Sequence, residues 1–374
     1  MSLFTSSFSI LLNWCCSSSP PPGEGLGEGE PLAIPGSPPP NLPLQGGGIP
    51  GANVAQPFQQ STRVSRTAWA LIAFLALNVV VNLIVILVPW TGADYFQDLC
   101  VQAAKEEPRD VVLLGDSKVF PFVEGYVDCP FFDRPAYAFA MDSATVLYQR
   151  ILYNRLISET SMRPKIVFYS TGANNFNENG LHIQRDYAMR FLATPSDLWE
   201  YRTIPGCLPY LVDSLISRLY PVYGRRIEIS HLMFRGYKPR EIDTEPPKRD
   251  PIADENYLLI YERGVLAEFQ VSEFHLQNLY RWAQEIRSNG GELVVLDLPV
   301  TEPMRDLEMK VCKEWDEKIQ AFSQETGVRY LDLRKHSDFS FRDINHLSNV
   351  SAKEVVRQWL QPLVDEALAG KRNP

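Results

Sequence analysis

Val111-Val112-Leu113-Leu114-Gly115-Asp116-Ser117 is the stretch on which the reading of this chain turns. Four apolar residues in a row, closed by Gly-Asp-Ser, read as a strand buried on both faces that ends in a tight turn with a serine hydroxyl at its tip. Runs of the same kind recur at Ala136 to Ala140, at Ile166-Val167-Phe168-Tyr169, at Leu293 to Leu296 and at Arg329 to Leu333. Helical patterns lie between them, over 143–159, 272–288 (closed by Asn289-Gly290-Gly291), 305–325 and 350–369. This alternation predicts an α/β domain over 109–374, with a parallel sheet covered on both faces and a site at the carboxyl ends of its strands. Residues 176–268 break the rhythm with aromatics and charges of both signs, including Tyr223, Arg225, Arg226, Phe234, Arg235, Tyr237, Lys238 and Arg240. An insertion of that length reads either as a substrate-binding lid or as a solvated cap.

Upstream the composition changes twice. Residues 1–60 hold 11 of the 29 prolines and 9 of the 22 glycines, with Glu24, Glu28 and Glu30 as their only charges. Such a stretch buries too little apolar surface to offset its backbone entropy, so 1–67 reads as a disordered tail. Its runs Pro20-Pro21-Pro22 and Pro38-Pro39-Pro40 also fit polyproline ligands. From Ala68 to Pro89 the chain then runs AWALIAFLALNVVVNLIVILVP without one ionisable side chain. That matches the ~20 residues needed to cross hydrocarbon, so 68–90 reads as a transmembrane helix and 91–108 as a linker. The run is too long for a cleaved signal peptide and lacks a small-x-small cleavage site. Arg63 and Arg66 precede it and Asp94 and Asp98 follow it, which places the tail in the cytoplasm and the α/β domain outside. Asn78 and Asn82 share one face of the helix, either as contacts for a second membrane helix or as polarity tolerated in a lone anchor.

The whole chain has 374 residues, 45% of them hydrophobic and 22% charged, and a net charge of −9. That sign repels polyanions, so nucleic acid is not an expected partner. Cys15, Cys16, Cys100, Cys129, Cys207 and Cys312 form no CxxC and no His-Cys cluster at zinc spacing, so neither a metal nor another cofactor is expected. Outside the cytoplasm the last four cysteines are free to form disulfides, in pairs the sequence does not select.

Chemistry gathers at three strand ends. Ser117 closes the first strand, and Ser170-Thr171-Gly172-Ala173-Asn174-Asn175 closes the third, where an amide can donate to an oxyanion. Asp343-Ile344-Asn345-His346-Leu347 follows the last strand, at a spacing that lets an imidazole reach the serine while a carboxylate orients it. Each piece alone is an ordinary turn. Together, in the order GDS, GxNN and DxxH, they resemble the SGNH (GDSL-type) hydrolase superfamily over about residues 109–370. The resemblance implies a three-layer, flavodoxin-like fold and a Ser-His-Asp triad: Ser117 as nucleophile, His346 as general base and Asp343 as the residue that holds the histidine. It also implies an oxyanion hole from the Ser117 backbone N–H, a backbone N–H at Ser143 and the Asn174 amide, with Asp116 a turn residue outside the triad. Two positions depart from the family pattern. Ser143, in Ala140-Met141-Asp142-Ser143-Ala144, stands where the family carries glycine, and Asn175 stands where it carries Asp. His336 and Asp338 form a rival pair that reads as a solvated loop.

Such a domain on a single anchor is similar to bacterial cell-envelope and exopolysaccharide O-acyl esterases and acyltransferases. The expected substrate is therefore an acyl ester, most simply acetyl, on an envelope or extracellular glycan, with a membrane-embedded acyltransferase as a partner. Two other readings stay open. One is an inactive SGNH-like envelope protein that binds a glycan or a membrane partner. The other is a lipid-ester hydrolase, whose sign would be an exposed apolar rim on the 176–268 insertion.

Overall fold

The computed structural model describes residues 61–87, 94–141, 144–179, 195–205, 207–224, 240–243, 249–336 and 338–370. The 1–60 tail with Cys15 and Cys16, residues 88–90 of the apolar run, Ser143, and Arg225, Arg226, Phe234, Arg235, Tyr237 and Lys238 of the insertion lie outside them. The chain divides into a unit ending at Ile84 and a second from Val85 onward. The apolar run forms helix α1 (Ser61–Leu87). Its stretch Ala68–Val85 has a mean hydropathy of 2.4, so it is long and apolar enough to cross a membrane. The Asn82 amide donates back to the Asn78 carbonyl at 2.8 Å, which satisfies part of the polarity within this one helix.

In the second unit six strands pair in the order β2-β3-β1-β4-β5-β6. They are β1 (Val111–Gly115), β2 (Asp128–Cys129), β3 (Ala136–Ala140), β4 (Ile166–Thr171), β5 (Glu292–Asp297) and β6 (Arg329–Asp332). β3, β1, β4, β5 and β6 are parallel, at the positions the apolar runs predicted. β2 is an antiparallel edge that the sequence did not announce, because two residues, one exposed, carry no period. The five parallel strands follow the flavodoxin-like order, which fits the expected three-layer fold.

Parity along the strands builds two cores. Val112, Leu114, Tyr137, Phe139, Val167, Tyr169, Leu293 and Val295 face one side, with helices α3 (Val146–Glu159), α8 (Glu273–Ser288) and α10 (Lys313–Thr326) over them. Val111, Leu113, Ala136, Ala138, Ile166, Phe168, Val294 and Leu296 face the other, under the carboxyl-terminal helices α11 (Asn349–Val355) and α12 (Gln361–Leu368). Each Val or Leu so buried contributes about 1.5–3 kcal/mol. That two-sided demand is why the strands read as continuous apolar runs and not as alternating ones.

Three expectations needed correction. The 91–108 segment, read as a linker, contains helix α2 (Asp94–Glu106), whose Cys100, Val101 and Ala104 sit in the first core. The helix expected over 305–325 is two, α9 (Glu302–Val311) and α10, parted at Cys312. The inward row Met304, Glu308, Cys312, Trp315, Ile319 and Phe322 runs unbroken through the joint, so the apolar period held no sign of it. Cys100, Cys129, Cys207 and Cys312 are all buried free thiols, so the disulfides allowed for are not formed among them. Of the insertion, the structure describes the helices α4 (Pro195–Glu200), α5 (Cys207–Leu219), α6 (Pro221–Gly224) and α7 (Pro251–Ile260).

Candidate active site

β1 enters β3 on one side of the sheet while the next crossover returns the chain to β4 on the other, so β1 and β4 flank the point where the strand order reverses. Ligands of open α/β sheets bind outside the carboxyl ends of the strands at such a point. Gly115 ends β1 where a side chain has no room: a Cβ there would stand 2.7 Å from the Ser170 carbonyl oxygen of β4 and 2.5 Å from Val119. The chain turns at once into a 3₁₀ helix, Ser117–Phe122, capped by Asp116, whose Oδ1 accepts the Lys118 N–H at 2.9 Å. Ser117 is left half-exposed at the head of that turn.

The Asp343–His346 loop is held opposite it. Ile344 and Leu347 are buried, the Thr301 hydroxyl donates to the Ile344 carbonyl at 2.8 Å, and the Arg342 N–H donates to the His346 carbonyl at 2.8 Å. Asn349, in the first turn of α11, donates to the Pro121 carbonyl at 2.7 Å and so ties this loop's helix to the serine turn. Asp343 Oδ1 accepts the N–H groups of Asn345 and His346 at 2.8 and 2.9 Å, and Asp343 Oδ2 lies 2.8 Å from His346 Nδ1. Burial alone would raise this carboxyl, but the His346 ring and those two amides hold it below its ordinary value. An ionised carboxylate only accepts, so Nδ1 carries the proton and the far nitrogen is an acceptor. That nitrogen, Nε2, is 2.9 Å from Ser117 Oγ.

A second chain of polar groups runs from β1 to the β4 end. Asp116 Oδ2 accepts from Asn175 Nδ2 at 2.8 Å, and Asn175 Oδ1 accepts from Asn174 Nδ2 at 3.1 Å. Asp116, Asn174 and Asn175 are all buried. Because Asp116 can only accept, Asn175 must turn its oxygen to Asn174, which in turn must offer its NH₂ group. One hydrogen of that group remains for the cleft.

The cleft has a volume of about 490 Å³, and its lining includes Asp116, Ser117, Asn174, Asp343 and His346. The structure thus brings together five of the sequence-derived positions; Ser143 lies outside the described residues. His336 of the rival pair instead packs on the Trp359 ring, 4.8 Å between centroids. The rest of the lining is Phe120, Pro121, Arg240, Tyr257, Tyr261, Arg342 and Asn345, none of them given a role by the sequence. Arg240 stood among the charges of the insertion, and its guanidinium lies 3.5 Å from the centroid of the Phe120 ring. Tyr257 and Tyr261 are four apart on α7 and the π-helical turn after it, a period that reads as core. No group of three or more metal-ligating side chains occurs among the described residues.

No family model matches the chain, and no curated protein matches it in sequence. Solved structures do. A Bacteroides fragilis protein described as an acylhydrolase is 10% identical, aligned over 75% of this chain and 98% of that one, with a TM-score of 0.37. A lipase/acylhydrolase from Enterococcus faecalis is 14% identical over 71% and 98%, with a TM-score of 0.33. An acetylxylan esterase from Geobacillus stearothermophilus is 10% identical over 69% and 95%, with a TM-score of 0.31. The chain is similar to these proteins in structure; the chemistry of its site rests on the distances given above.

Proposed function

We propose that this chain is a membrane-anchored, SGNH-like serine esterase that cleaves acyl esters of extracellular or envelope glycans. The observation that carries the reading is the continuous Asp343–His346–Ser117 hydrogen-bond chain, with the Asn174 amide on the same cleft. His346 Nε2 takes the Ser117 proton as Oγ attacks the ester carbonyl, and Asp343 steadies the imidazolium that forms. The Ser117 N–H and Asn174 Nδ2 receive the oxyanion, and His346 returns its proton to the leaving alcohol. Water, activated by the same imidazole, then releases the acyl group; a sugar hydroxyl in place of that water makes the reaction an acyl transfer. Phe120, Tyr257 and Tyr261 line the cleft where a sugar would lie, together with the polar Arg240, Arg342 and Asn345. Helix α1 supplies the anchor, and Arg63 and Arg66, ahead of its apolar stretch, favour a catalytic domain outside the cytoplasm.

One observation favours a lipid ester as the rival substrate. Leu208, Val212, Leu215, Ile216 and Leu219 form an exposed apolar stripe on α5, in the insertion. Acetate release from acetylated glycans, set against hydrolysis of p-nitrophenyl esters from two to twelve acyl carbons by the purified full chain, separates the two. We expect short acyl groups to be preferred and Ser117→Ala to abolish release. A rate that climbs with acyl length assigns the site to lipids, and turnover undiminished in Ser117→Ala refutes it altogether.

A further inference from the structure

Lys118 directly follows the nucleophile, yet its side chain turns away from the cleft and is 1% exposed. Its Nζ makes no hydrogen bond among the described residues, a costly state for an ammonium. The carboxylates nearest to it stand off, Glu308 Oε1 at 3.7 Å and Asp297 Oδ1 at 3.9 Å. Each is engaged elsewhere: Tyr261 donates to Glu308 at 3.3 Å, and Arg334 Nε lies 3.3 Å from Asp297 Oδ2. Burial opposes the charge on Lys118, but Glu308, Asp297 and Asp116 outweigh it and hold the amine above its ordinary pKa.

Beside Gly172 the ammonium meets the oxyanion loop. A Cβ on residue 172 would lie 2.8 Å from Lys118 Nζ and 2.8 Å from Asn174 Oδ1, so these two atoms share one buried space. Asn174 Oδ1, like Nζ, has no hydrogen-bond partner among the described residues. The geometry points to Lys118 as a positioning residue for catalysis: without a hydrogen bond to it, the ammonium's charge draws the carbonyl end of the Asn174 amide inward, so that the NH₂ end faces the cleft. Rotating that amide by half a turn would set a donor against the cation and present an oxygen to the oxyanion. Asp116 and Asn175 fix the amide from one side, and Lys118 fixes it from the other. The inference rests on the serine-esterase reading above.

The alternative is that Lys118 only balances the buried acids. Lys118→Met, and the charge-balanced double variant Lys118→Met/Glu308→Gln, separate the two roles in the purified full chain. A buried ion pair replaced by matched neutral groups is often no less stable. The double variant should therefore melt at or above the wild-type temperature. Its kcat on p-nitrophenyl acetate should still be down by about 10²-fold with KM little changed, as for a misplaced oxyanion donor. Phosphonylation of Ser117 by a fluorophosphonate should slow in parallel. A double variant with wild-type kcat and wild-type phosphonylation overturns the proposal and leaves Lys118 a structural counter-ion. A wild-type chain that neither turns over ester nor takes the probe overturns the esterase reading, and this inference with it.

Discussion

Asp116→Asn is the smallest change that tests the polar chain behind Asn174, because it replaces one oxygen with an NH₂ group and removes one negative charge at unchanged shape. In the wild type Asp116 accepts twice, from the Lys118 N–H at 2.9 Å and from Asn175 at 2.8 Å. An asparagine keeps the first bond through its oxygen but turns its NH₂ toward that of Asn175. The clash is relieved if Asn175 flips, after which Asn175 offers NH₂ to Asn174 and Asn174 must answer with its oxygen. Each bond in that chain is remade, but the reversed Asn174 turns its NH₂ toward the Lys118 ammonium, which also loses the Asp116 charge, so stability should fall by about 1–3 kcal/mol. In the proposed mechanism the oxyanion donor is also reversed, which should cost kcat about 10²-fold. Asp116→Ala differs: the lost cap costs about 1 kcal/mol and the orphaned Asn175 amide a further ~1–3 kcal/mol. Urea unfolding followed by tryptophan fluorescence, with kcat and KM on p-nitrophenyl acetate from the same preparations, reads both effects. Asp116→Asn at wild-type kcat, or Asp116→Ala at the wild-type unfolding midpoint, would show that Asp116 does not orient the Asn174 amide.

Other consequences follow from neighbouring residues. Asn174→Ala should lower kcat by roughly 10²-fold while leaving KM nearly unchanged, because in the proposed mechanism the amide acts on charge that develops in the transition state; a rise in KM alone would move Asn174 to ground-state binding. Gly172→Ala should also depress kcat, since the new Cβ displaces Asn174 Oδ1 and Lys118 Nζ, while its extended φ of −164° is one any residue adopts; wild-type turnover would show that the space is not tight. His275 is buried edge-on to Phe176, and burial pulls its pKa down to about 3. The unfolded chain therefore takes up a proton below pH ~6.5 that the folded chain refuses. Stability is full above that pH and falls by up to about 1.4 kcal/mol per unit as the pH drops toward the folded value. Urea midpoints for His275→Gln measured across this range should lie on a flatter acid limb than the wild type's, and parallel limbs would exclude His275 as the source.

The parallel sheet was legible because burial on both faces demands uninterrupted apolar runs, and Val111 to Leu114 is such a run. Ser117 and Asn174 were legible because each sits within three residues of a strand end, and Asp343 and His346 because their three-residue spacing falls just before α11. Tyr257, Tyr261 and Arg240 were not, since the insertion brings them to the cleft through long-range packing that leaves no short motif. Lys118 was hidden for a different reason. A lysine after a turn reads as solvated, and its burial is made tolerable chiefly by Asp297 and Glu308, 179 and 190 positions further along the chain. The joint at Cys312 was invisible because the inward-facing period continues across it.

The central claim is that Ser117 is the nucleophile driven by His346. Its most direct test is peptide mass mapping of the purified full chain after reaction with a fluorophosphonate, beside Ser117→Ala and His346→Ala. The adduct should fall on the peptide that carries Ser117, vanish in Ser117→Ala and form far more slowly in His346→Ala. An adduct on another residue that survives Ser117→Ala, or no adduct on the wild type, would contradict it.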